Sequence, residues 1–341
     1  MAQISESLKF HYDEELFNNA WGSEKDPTSL VLLESGAMVE DATIAKLIAG
    51  GGNYFTLPFY KDIEGDEVNY DGNTDIPADD TEDGAQSGVV YGRAKGWRSV
   101  QFVNDFTAAD PMRNILNRVQ KWKGKKVQAR VISILEAILG VEGEDEFADW
   151  ENHKTNIASE TAEVTEENMI GLTTLRDAAV KANGDAADDY ALAIMHSVVA
   201  NRLSQFNVLE FFKYNNANGQ ALDVKVGRSG NMIVLVCDEV PHAAGESGAM
   251  EYTTYCLGRG VLLHANAPVE KPSDVSYDPA EKGGTEYLYT RYREAIHPNG
   301  FSFQMENLPV SPTDAQLANS ENWKLVTNPK NIAITKIVTN G

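Results

Sequence analysis

The most informative segment of the sequence is ALAIMHSVVANRL, residues 191–203. Its apolar residues are dense enough to predict a buried helix from Ala187 to Phe206. Gly184 separates this helix from an earlier one, which is predicted from Glu166 to Ala182 with Thr165 as its N-cap.

A second informative stretch, YREAIHPNGF, lies far downstream at residues 292–301. Pro298 fixes its own φ and restricts His297 to extended geometry, so this pair predicts a turn. In the first stretch His196 lies in an apolar run, where histidine is more often a hydrogen-bonded core residue than a base or a ligand. Neither stretch contains a recognisable catalytic arrangement.

Two aromatic, β-branched runs, Tyr54–Ile63 and Val89–Val103, flank a long polar insert and predict two strands joined by an extended loop. The insert contains no Lys or Arg between Asp62 and Gly92. Loops longer than ~12–15 residues are seldom idle in a compact domain. The acidic residues of the insert are Asp62, Glu64, Asp66, Glu67, Asp71, Asp75, Asp79, Asp80, Glu82 and Asp83.

The strongest helix pattern of the chain follows this hairpin. Asp110 is a suitable N-cap, Pro111 suits the first helical position, and apolar residues recur at helical spacing as far as Ile138, two residues before Gly140. A helix of this length extends about 40 Å at 1.5 Å per residue. Its polar face is predicted to carry the largest basic cluster of the chain, namely Arg113, Arg118, Lys121, Lys123, Lys125, Lys126 and Arg130.

The order of the remaining elements favours an α+β fold over a doubly wound α/β sheet, because helices are followed by a run of strands. A short helix is also predicted from Met38 to Ala49, ended by Gly50-Gly51-Gly52. The predicted strands are Leu222–Val226, Met232–Val240, Tyr252–Leu257, Gly260–His264, Tyr287–Ile296 and Ile332–Val338.

Together, the two quoted stretches, the hairpin and the long helix resemble the tailed-bacteriophage major capsid proteins. The resemblance implies the α+β Hong Kong 97-like phage capsid fold, with an N-terminal arm, an extended β-hairpin loop, a long spine helix, and peripheral and axial domains. The corresponding segments are 1–52 for the arm, 53–104 for the hairpin loop, 105–183 for the spine helix and peripheral domain, 184–285 for the axial domain, and 286–341 for the return to the peripheral domain.

This resemblance implies a major capsid protein that self-assembles, as hexamers and pentamers, into the icosahedral shell enclosing the DNA genome of a tailed phage or prophage. It implies no catalytic residue, cofactor or metal. Some family members carry a scaffolding segment ahead of the arm, and only residues 1–52 precede the hairpin here, so a separate scaffolding protein and a portal are expected. Double-stranded DNA is expected to be enclosed without sequence-specific binding, in a virion assembled in the bacterial cytoplasm.

In the resembled family, the hairpin of one subunit reaches over an adjacent subunit. We therefore expect opposite charges of the hairpin and the spine helix to meet between subunits. The acidic candidates are Asp66, Glu67, Asp79, Asp80 and Asp83, and the basic candidates are Arg118, Lys121, Lys125 and Lys126. The alternative is that the helix residues face solvent as an ordinary amphipathic surface.

Composition limits the classes of function. The net charge of −22 argues against a protein whose main function is to bind the phosphates of nucleic acid. The acidic inner surface of a shell could still repel duplex DNA and let it slide while the shell is filled, although high negative charge is equally a means of solubility.

The first fifteen residues lack the features of a secretory signal, and no segment approaches the ~20 apolar residues of a membrane span, so a cytoplasmic protein without a membrane partner is expected. Cys237 and Cys256 lie in apolar runs and are interpreted as small buried hydrophobes.

Two other interpretations compete with a capsid protein, namely a calcium site and a hydrolytic active site. Asp71, Asn73, Asp75, Asp79 and Glu82 fall at the ligand positions of a calcium loop, but Ile76 replaces the glycine that the turn requires. A solvated acidic loop is the simpler interpretation.

The nearest nucleophile pattern is Gly245-Glu246-Ser247-Gly248-Ala249, with Asp238 and His242 close in sequence. Ala249 occupies the position of the last glycine in the G-x-S-x-G turn, so the motif is incomplete. The alternatives to a phage capsid protein are thus a bacterial nanocompartment shell of the same fold and, from a different class, an acidic calcium-binding or hydrolytic enzyme.

Overall fold

The computed structural model describes residues 27–61, 67–71, 75, 83–101, 111–143, 145–159, 161, 163–207, 209–215, 221–245 and 248–341. The α-helices are α1 (Pro27–Glu34), α2 (Ala42–Ala49), α3 (Pro111–Leu139), α4 (Thr174–Asn183), α5 (Ser197–Gln205) and α6 (Asp314–Leu317). The strands are β1 (Met38–Glu40), β2 (Tyr54–Tyr60), β3 (Asp83–Val89), β4 (Tyr91–Val100), β5 (Lys154–Asn156), β6 (Tyr190–Met195), β7 (Glu210–Asn215), β8 (Ala221–Ser229), β9 (Met232–Val236), β10 (His242–Ala244), β11 (Met250–Gly258), β12 (Leu262–Ala267), β13 (Ser273–Asp278), β14 (Thr285–Pro298), β15 (Phe301–Phe303), β16 (Trp323–Leu325) and β17 (Ile334–Thr339). Short 3₁₀ helices span Asp145–His153, Glu166–Asn168, Gly184–Asp189, Glu281–Gly283, Ser320–Asn322 and Pro329–Asn331.

A five-stranded sheet is built around the long strand β14. Strand β4 pairs antiparallel with β14 from Thr285 to Glu294, along one edge. The other edge of β14 is shared by β13 and then β12, both antiparallel to it. The second of the two quoted sequence stretches therefore forms the end of β14 and the turn that follows it.

The second sheet has eight strands in the order β5, β17, β11, β6, β9, β8 and β7, with β10 paired to β11. Strand β6 lies inside this sheet, antiparallel to β11 and parallel to β9. Helices α4 and α5 cover one face of the sheet, where Leu175 and Leu203 pack with Met195 and Cys256 in one buried cluster.

Helix α3 packs against the other face of the eight-stranded sheet and also against the five-stranded sheet. Its apolar side chains share the largest buried cluster with Ile296 of β14 and Leu192 of β6. The buried residues of the helix include Val127, Val131, Ile134, Leu135 and Ile138. The predicted helix is thus confirmed, with Gly140 directly after its last residue.

The helix predicted from Ala187 to Phe206 is wrong in its first half. Residues Tyr190–Met195 form strand β6, and the helix begins only at Ser197. All side chains of β6 are buried, because the strand lies inside the sheet and both faces of the sheet are covered. A strand buried on both faces is continuously apolar and lacks the alternation that distinguishes a strand from a helix.

The partner of the first hairpin strand also differs from the prediction. Strand β2 pairs antiparallel with β3, Asp83–Val89, whose sequence DGAQSGV is polar and rich in glycine. The predicted second strand, Val89–Val103, is mostly β4, which belongs to the five-stranded sheet. The second strand of the hairpin therefore ends at Val89, where the aromatic, β-branched pattern had predicted that it begins.

Two further helix predictions need correction. Of the segment Met38–Ala49, only Ala42–Ala49 is helical, because Met38–Glu40 pairs with β12 as a short parallel strand. The helix predicted from Glu166 is interrupted, since Glu166–Asn168 is a single 3₁₀ turn and α4 begins at Thr174.

The remaining predicted strands are found as β8, β9, β11, β12, β14 and β17, and the α+β class is confirmed. Cys237 and Cys256 are free and buried, as interpreted from the sequence. Among the described helices, none is both long and apolar enough to cross a membrane. The division into arm, hairpin, peripheral and axial segments remains a prediction.

Candidate functional site

A buried ionic cluster joins helix α3 to the five-stranded sheet. Arg130 Nη1 lies 2.7 Å from Glu294 Oε1, and the two side chains are 3% and 2% exposed. Arg130 Nε also donates to Asp314 Oδ1 at 3.0 Å, and the guanidinium lies 4.8 Å from the centre of the Tyr91 ring. Arg93 of β4 bonds the same Asp314 oxygen at 2.7 Å. This cluster fixes the helix, β4, β14 and the start of α6 to one another.

The electrostatics of the cluster keep both acids charged. Burial alone raises the pKa of Glu294, but contact with His264 and the charge of Arg130 outweigh this effect and hold that pKa below its usual range. His264 Nε2 lies 3.8 Å from Glu294 Oε2. Burial also raises the pKa of Asp314, and the hydrogen bonds from Arg130 and Arg93 overcome it and lower that pKa.

A second polar contact joins the same helix to the eight-stranded sheet. Glu136 Oε2 accepts from Lys336 Nζ of β17 at 3.0 Å, and the hydroxyl of Tyr255 on β11 donates to Glu136. Burial and the adjacent Glu136 charge raise the pKa of Tyr255, so its hydroxyl remains a donor. Arg130 and Glu136 therefore fix one helix to two different sheets.

The basic candidates of the helix lie on a single exposed face. The side chains of Arg118, Lys121, Lys125 and Lys126 are all exposed. Arg118, Lys121 and Lys125 are three, four and seven residues apart and share a helix face at 3.6 residues per turn, and Lys126 lies about 100° around the helix from Lys125. The four residues span about 12 Å along the axis. Helix α3 contains no Asp or Glu before Glu136, so this face has a single sign of charge.

Two members of the predicted basic cluster lie elsewhere. Arg130 was expected on the polar face, but it is buried against Glu294. Lys123 lies with its Nζ atom 5.1 Å from the centre of the Tyr292 ring, on the side of the helix that packs against the sheet. The residue before it, Trp122, also contacts the sheet, edge-on to Trp97 of β4 at a ring separation of 5.3 Å. The side chain of Arg113 lies outside the described part of the helix.

The acidic candidates are only partly within the described residues. Glu67 and Asp83 are exposed, and Asp83 is the first residue of β3. Asp66, Asp79 and Asp80 lie outside the described residues. The predicted pairing between subunits is therefore untested by a single chain.

Among the residues that the structure describes, the competing enzyme candidates do not form a complete site. His242 Nδ1 lies 3.0 Å from the carbonyl oxygen of Val240, and Asp238 Oδ1 lies 3.7 Å from Nε2 of His196. Ser247 is outside the described residues. His196, which was predicted within a helix, is instead the N-cap of α5 and accepts from the N–H of Val198 at 3.2 Å.

The calcium-loop candidates Asn73, Asp79 and Glu82 also lie outside the described residues, while Asp71 and Asp75 are exposed. Among the residues that the structure describes, no three His, Cys, Asp or Glu side chains are grouped in a way that could hold a metal ion.

Sequence reasoning missed the residues that connect the elements. Arg130 lies three residues after Val127 and one before Val131, at the edge of the apolar face of the helix. Its burial could have been predicted from this position. Glu294 is a charged residue within the quoted stretch 292–301, and its partner could not be inferred from spacing alone. Gln86 of β3, which binds the turn at Asn299, had no sequence signal.

Comparisons with known proteins agree with this architecture. The chain is 26% identical over 306 residues to the major capsid protein of Bacillus phage SPP1, an alignment that covers 89% of each protein. Its fold is similar to the capsid of Ralstonia phage GP4, with a TM-score of 0.56, 10% identity, and coverage of 93% of this chain and 91% of that chain. It is also similar to the Cyanophage Pam1 capsid, with a TM-score of 0.50, 11% identity, and coverage of 84% and 85%.

These similarities confirm the Hong Kong 97-like capsid fold that the resemblance implied. A family model described as "Major capsid protein 13-like" matches residues 148–333, which include α4, β6 and all of β14. Because this match spans more than half of the 341 residues, the chain belongs to the major capsid protein 13-like family of phage capsid proteins.

Proposed function

We propose that this capsid protein closes its shell through contact between the acidic hairpin loop of one subunit and the basic face of helix α3 in the next. The acidic residues are Asp66, Glu67, Asp79, Asp80 and Asp83, and the basic residues are Arg118, Lys121, Lys125 and Lys126. The observation that carries the proposal is the exposure of all four basic residues on one face of a helix that is otherwise fixed to two sheets.

The charge distribution supports a partner of opposite sign. The chain carries a net charge of −22, yet helix α3 has no acidic residue before Glu136. The segment from Asp62 to Asp83 has the opposite character, with ten acidic residues and no basic one. Patches of opposite charge favour correct pairing and suppress like-charged contacts.

The rigidity of the helix adds to this support. Val127, Val131 and Ile134 are buried in the central core, while Arg118, Lys121 and Lys125 project on the opposite side. A charge on a fixed helix loses less freedom on pairing than one on a mobile loop. Exposed pairs contribute only ~0.2–1 kcal/mol each, but every subunit of a shell repeats the contact.

The wider assembly follows from the capsid role. The proposal includes hexamers and pentamers of this chain, a separate scaffolding protein, a portal, and double-stranded DNA enclosed without sequence-specific contacts. Assembly takes place in the bacterial cytoplasm, and the finished protein is part of the virion. The net negative charge favours an enclosed duplex that slides along the wall over one that is bound tightly.

Charge reversal tests the proposed contact. Changing Lys121, Lys125 and Lys126 to Glu is expected to lower the yield of shells at low salt, because the hairpin then meets a face of its own sign. Reversal of Asp79, Asp80 and Asp83 to Lys in the same chain is expected to restore part of that yield. Light scattering and electron microscopy measure both effects across a salt series, since screening at a Debye length of ~10 Å weakens the contact.

The matched control changes Lys46, Lys271 and Lys330 to Glu, which are exposed outside helix α3 and give the same change in net charge. This control is expected to assemble like the unaltered protein. Equal yields from the helix variant and the control, or no recovery in the double reversal, would contradict the proposed contact.

A further inference from the structure

The root of the hairpin is joined to the body of the subunit by side chains rather than by a continuous sheet. Strand β3 pairs with β2, and the adjacent strand β15 pairs with β16. The described hydrogen bonds of β3 with β15 run through Ser302, and those of β3 with the turn before β15 run through Gln86. Ser302 Oγ accepts from the N–H of Ser87 at 3.0 Å. An unbroken ladder would make the hairpin a rigid extension of a sheet, whereas this arrangement makes a joint.

Gln86 uses both ends of its carboxamide at this joint. Its Oε1 atom accepts from the backbone N–H of Gly300 at 2.8 Å, and its Nε2 atom donates to Asn299 Oδ1 at 3.0 Å. The side chain is buried. We call these three residues, Gln86, Asn299 and Gly300, the Gln86 clamp.

The turn that receives Gln86 is itself fixed. The N–H of Asn299 donates to the carbonyl of Val261 at 2.9 Å, and the carbonyl of Gly300 accepts from the N–H of Val326 at 3.0 Å. Gly300 has a φ of +88°, and a Cβ there would lie 2.7 Å from Ile332 Cδ1, so the position requires glycine. Gln86 therefore binds a partner whose own position is set by the body of the subunit.

Asn53, which precedes β2, donates from Nδ2 to the carbonyl of Pro309 at 3.0 Å. Another contact at the root is aromatic and apolar. Phe55 of β2 is buried and meets the His297 ring edge-on, with ring centres 5.6 Å apart. Gly88, the register partner of Phe55, leaves the space that this ring fills. Apolar ring contacts tolerate small rotations, whereas two hydrogen bonds from one planar carboxamide do not.

We propose that Gln86 is the positioning residue that fixes the angle between the hairpin and the body of the subunit. It thereby decides where the acidic loop reaches on the next subunit. This consequence rests on the proposed contact between hairpin and helix, while the clamp itself rests on the geometry at the root. The uniform curvature of the shell depends on it, because an error in hairpin angle is repeated at each subunit.

Replacement of Gln86 by Met tests this inference, since Met has a similar volume and cannot make either bond. The unassembled Gln86→Met subunit is expected to keep its thermal midpoint within a few degrees. Its assembly products are expected to be open or of mixed diameter in electron micrographs. Two hydrogen bonds of ordinary strength correspond to a change of roughly fivefold to a hundredfold in the equilibrium between hairpin angles, so the fraction of uniform shells should fall at least several-fold.

Asn299→Ala gives a second variant that does not depend on a buried substitution, because Asn299 is exposed. It removes one of the two clamp bonds and is expected to broaden the diameters in the same direction, to a smaller extent. Thr56→Ala is the matched control, since Thr56 is exposed on the same hairpin and bonds only Ser87, also in the hairpin, among described residues. It is expected to give uniform shells.

Uniform shells of normal diameter from Asn299→Ala, and from Gln86→Met where it folds, would overturn the inference. The Lys-to-Glu variant of helix α3 separates this result from the hairpin contact. Mixed diameters in Gln86→Met with normal assembly of the Lys-to-Glu variant would support the clamp and reject the contact. The reverse pair of results would reject the clamp alone.

Discussion

Arg130 of helix α3 and Glu294 of strand β14 form an ion pair at 2.7 Å that is almost completely removed from solvent. These residues are 164 positions apart in the chain. The pair therefore fixes the long helix to the strand that carries the YREAIHPNGF stretch. It gives that stretch a structural role that its sequence alone did not reveal.

The first prediction concerns this pair. Arg130→Met leaves Glu294 buried without its main cation, so the free energy of unfolding of the unassembled subunit should fall by ~3–5 kcal/mol. Urea denaturation measures the change. Arg176→Met is the control, since the Arg176–Asp188 pair is 68% and 80% exposed and such pairs are worth ~0–1 kcal/mol. Equal losses in the free energy of unfolding for the two substitutions would show that burial does not determine how much an ion pair contributes to stability.

The second prediction is a pH dependence that originates at His297. Burial lowers the pKa of His297 from its ordinary value of 6.5 to about 4. The unfolded chain therefore binds a proton below pH 6.5 that the folded chain excludes. Stability is complete above that pH, declines as the pH falls towards 4, and levels off below it.

His297→Leu removes this contribution. Between pH 7 and pH 5, the unaltered subunit should lose about 2 kcal/mol more stability than the variant, since one pKa unit corresponds to ~1.4 kcal/mol. Denaturant titrations at the two pH values measure this difference. Parallel pH profiles of the two proteins would show that His297 does not carry it.

The third prediction concerns the glycine in the root of the hairpin. A Cβ at Gly88 would lie 2.3 Å from Phe55 Cζ and 2.9 Å from His297 Nδ1, so Gly88→Ala displaces the ring and should cost ~1–3 kcal/mol. Gly50→Ala is the control, because nothing lies within 4 Å of its added Cβ and its φ is −76°. Thermal denaturation should show a lower midpoint for the first variant only. A normal midpoint for Gly88→Ala would mean that the root repacks freely.

The fourth prediction concerns the cysteines. Cys237 and Cys256 are buried, and burial raises the pKa of Cys256 to about 12. Both thiols should resist a thiol reagent in the folded subunit and react after unfolding in denaturant, since the thiolate is the reactive form. Rapid labelling of either cysteine in the native protein would contradict the described packing.

The sequence predicts helix α3 well because one of its faces is polar and the other meets a core, so the apolar residues recur at helical spacing. It fails at β6, where both faces are covered and the periodicity disappears. It also fails at β3, since DGAQSGV has neither alternation nor β-branched residues before its final valine. That strand forms because β2 pairs with it and Phe55 and Phe59 lie over Gly88 and Gly84.

The connecting residues were beyond sequence reasoning for a different reason. Gln86 and Asn299 are separated by 213 positions, and Arg130 and Glu294 by 164. Local propensity and spacing carry no information on such distant contacts. By contrast, the exposure of Arg118, Lys121, Lys125 and Lys126 follows directly from helical periodicity and was predicted.

Cryo-electron microscopy of the assembled shell gives the distance between the helix lysines and the hairpin carboxylates of the adjacent subunit. We expect at least one Nζ atom of Lys121, Lys125 or Lys126 to lie within ~4 Å of a carboxylate among Asp66, Glu67, Asp79, Asp80 and Asp83. A shell in which every such distance exceeds ~10 Å, beyond the screening length at moderate salt, would contradict it.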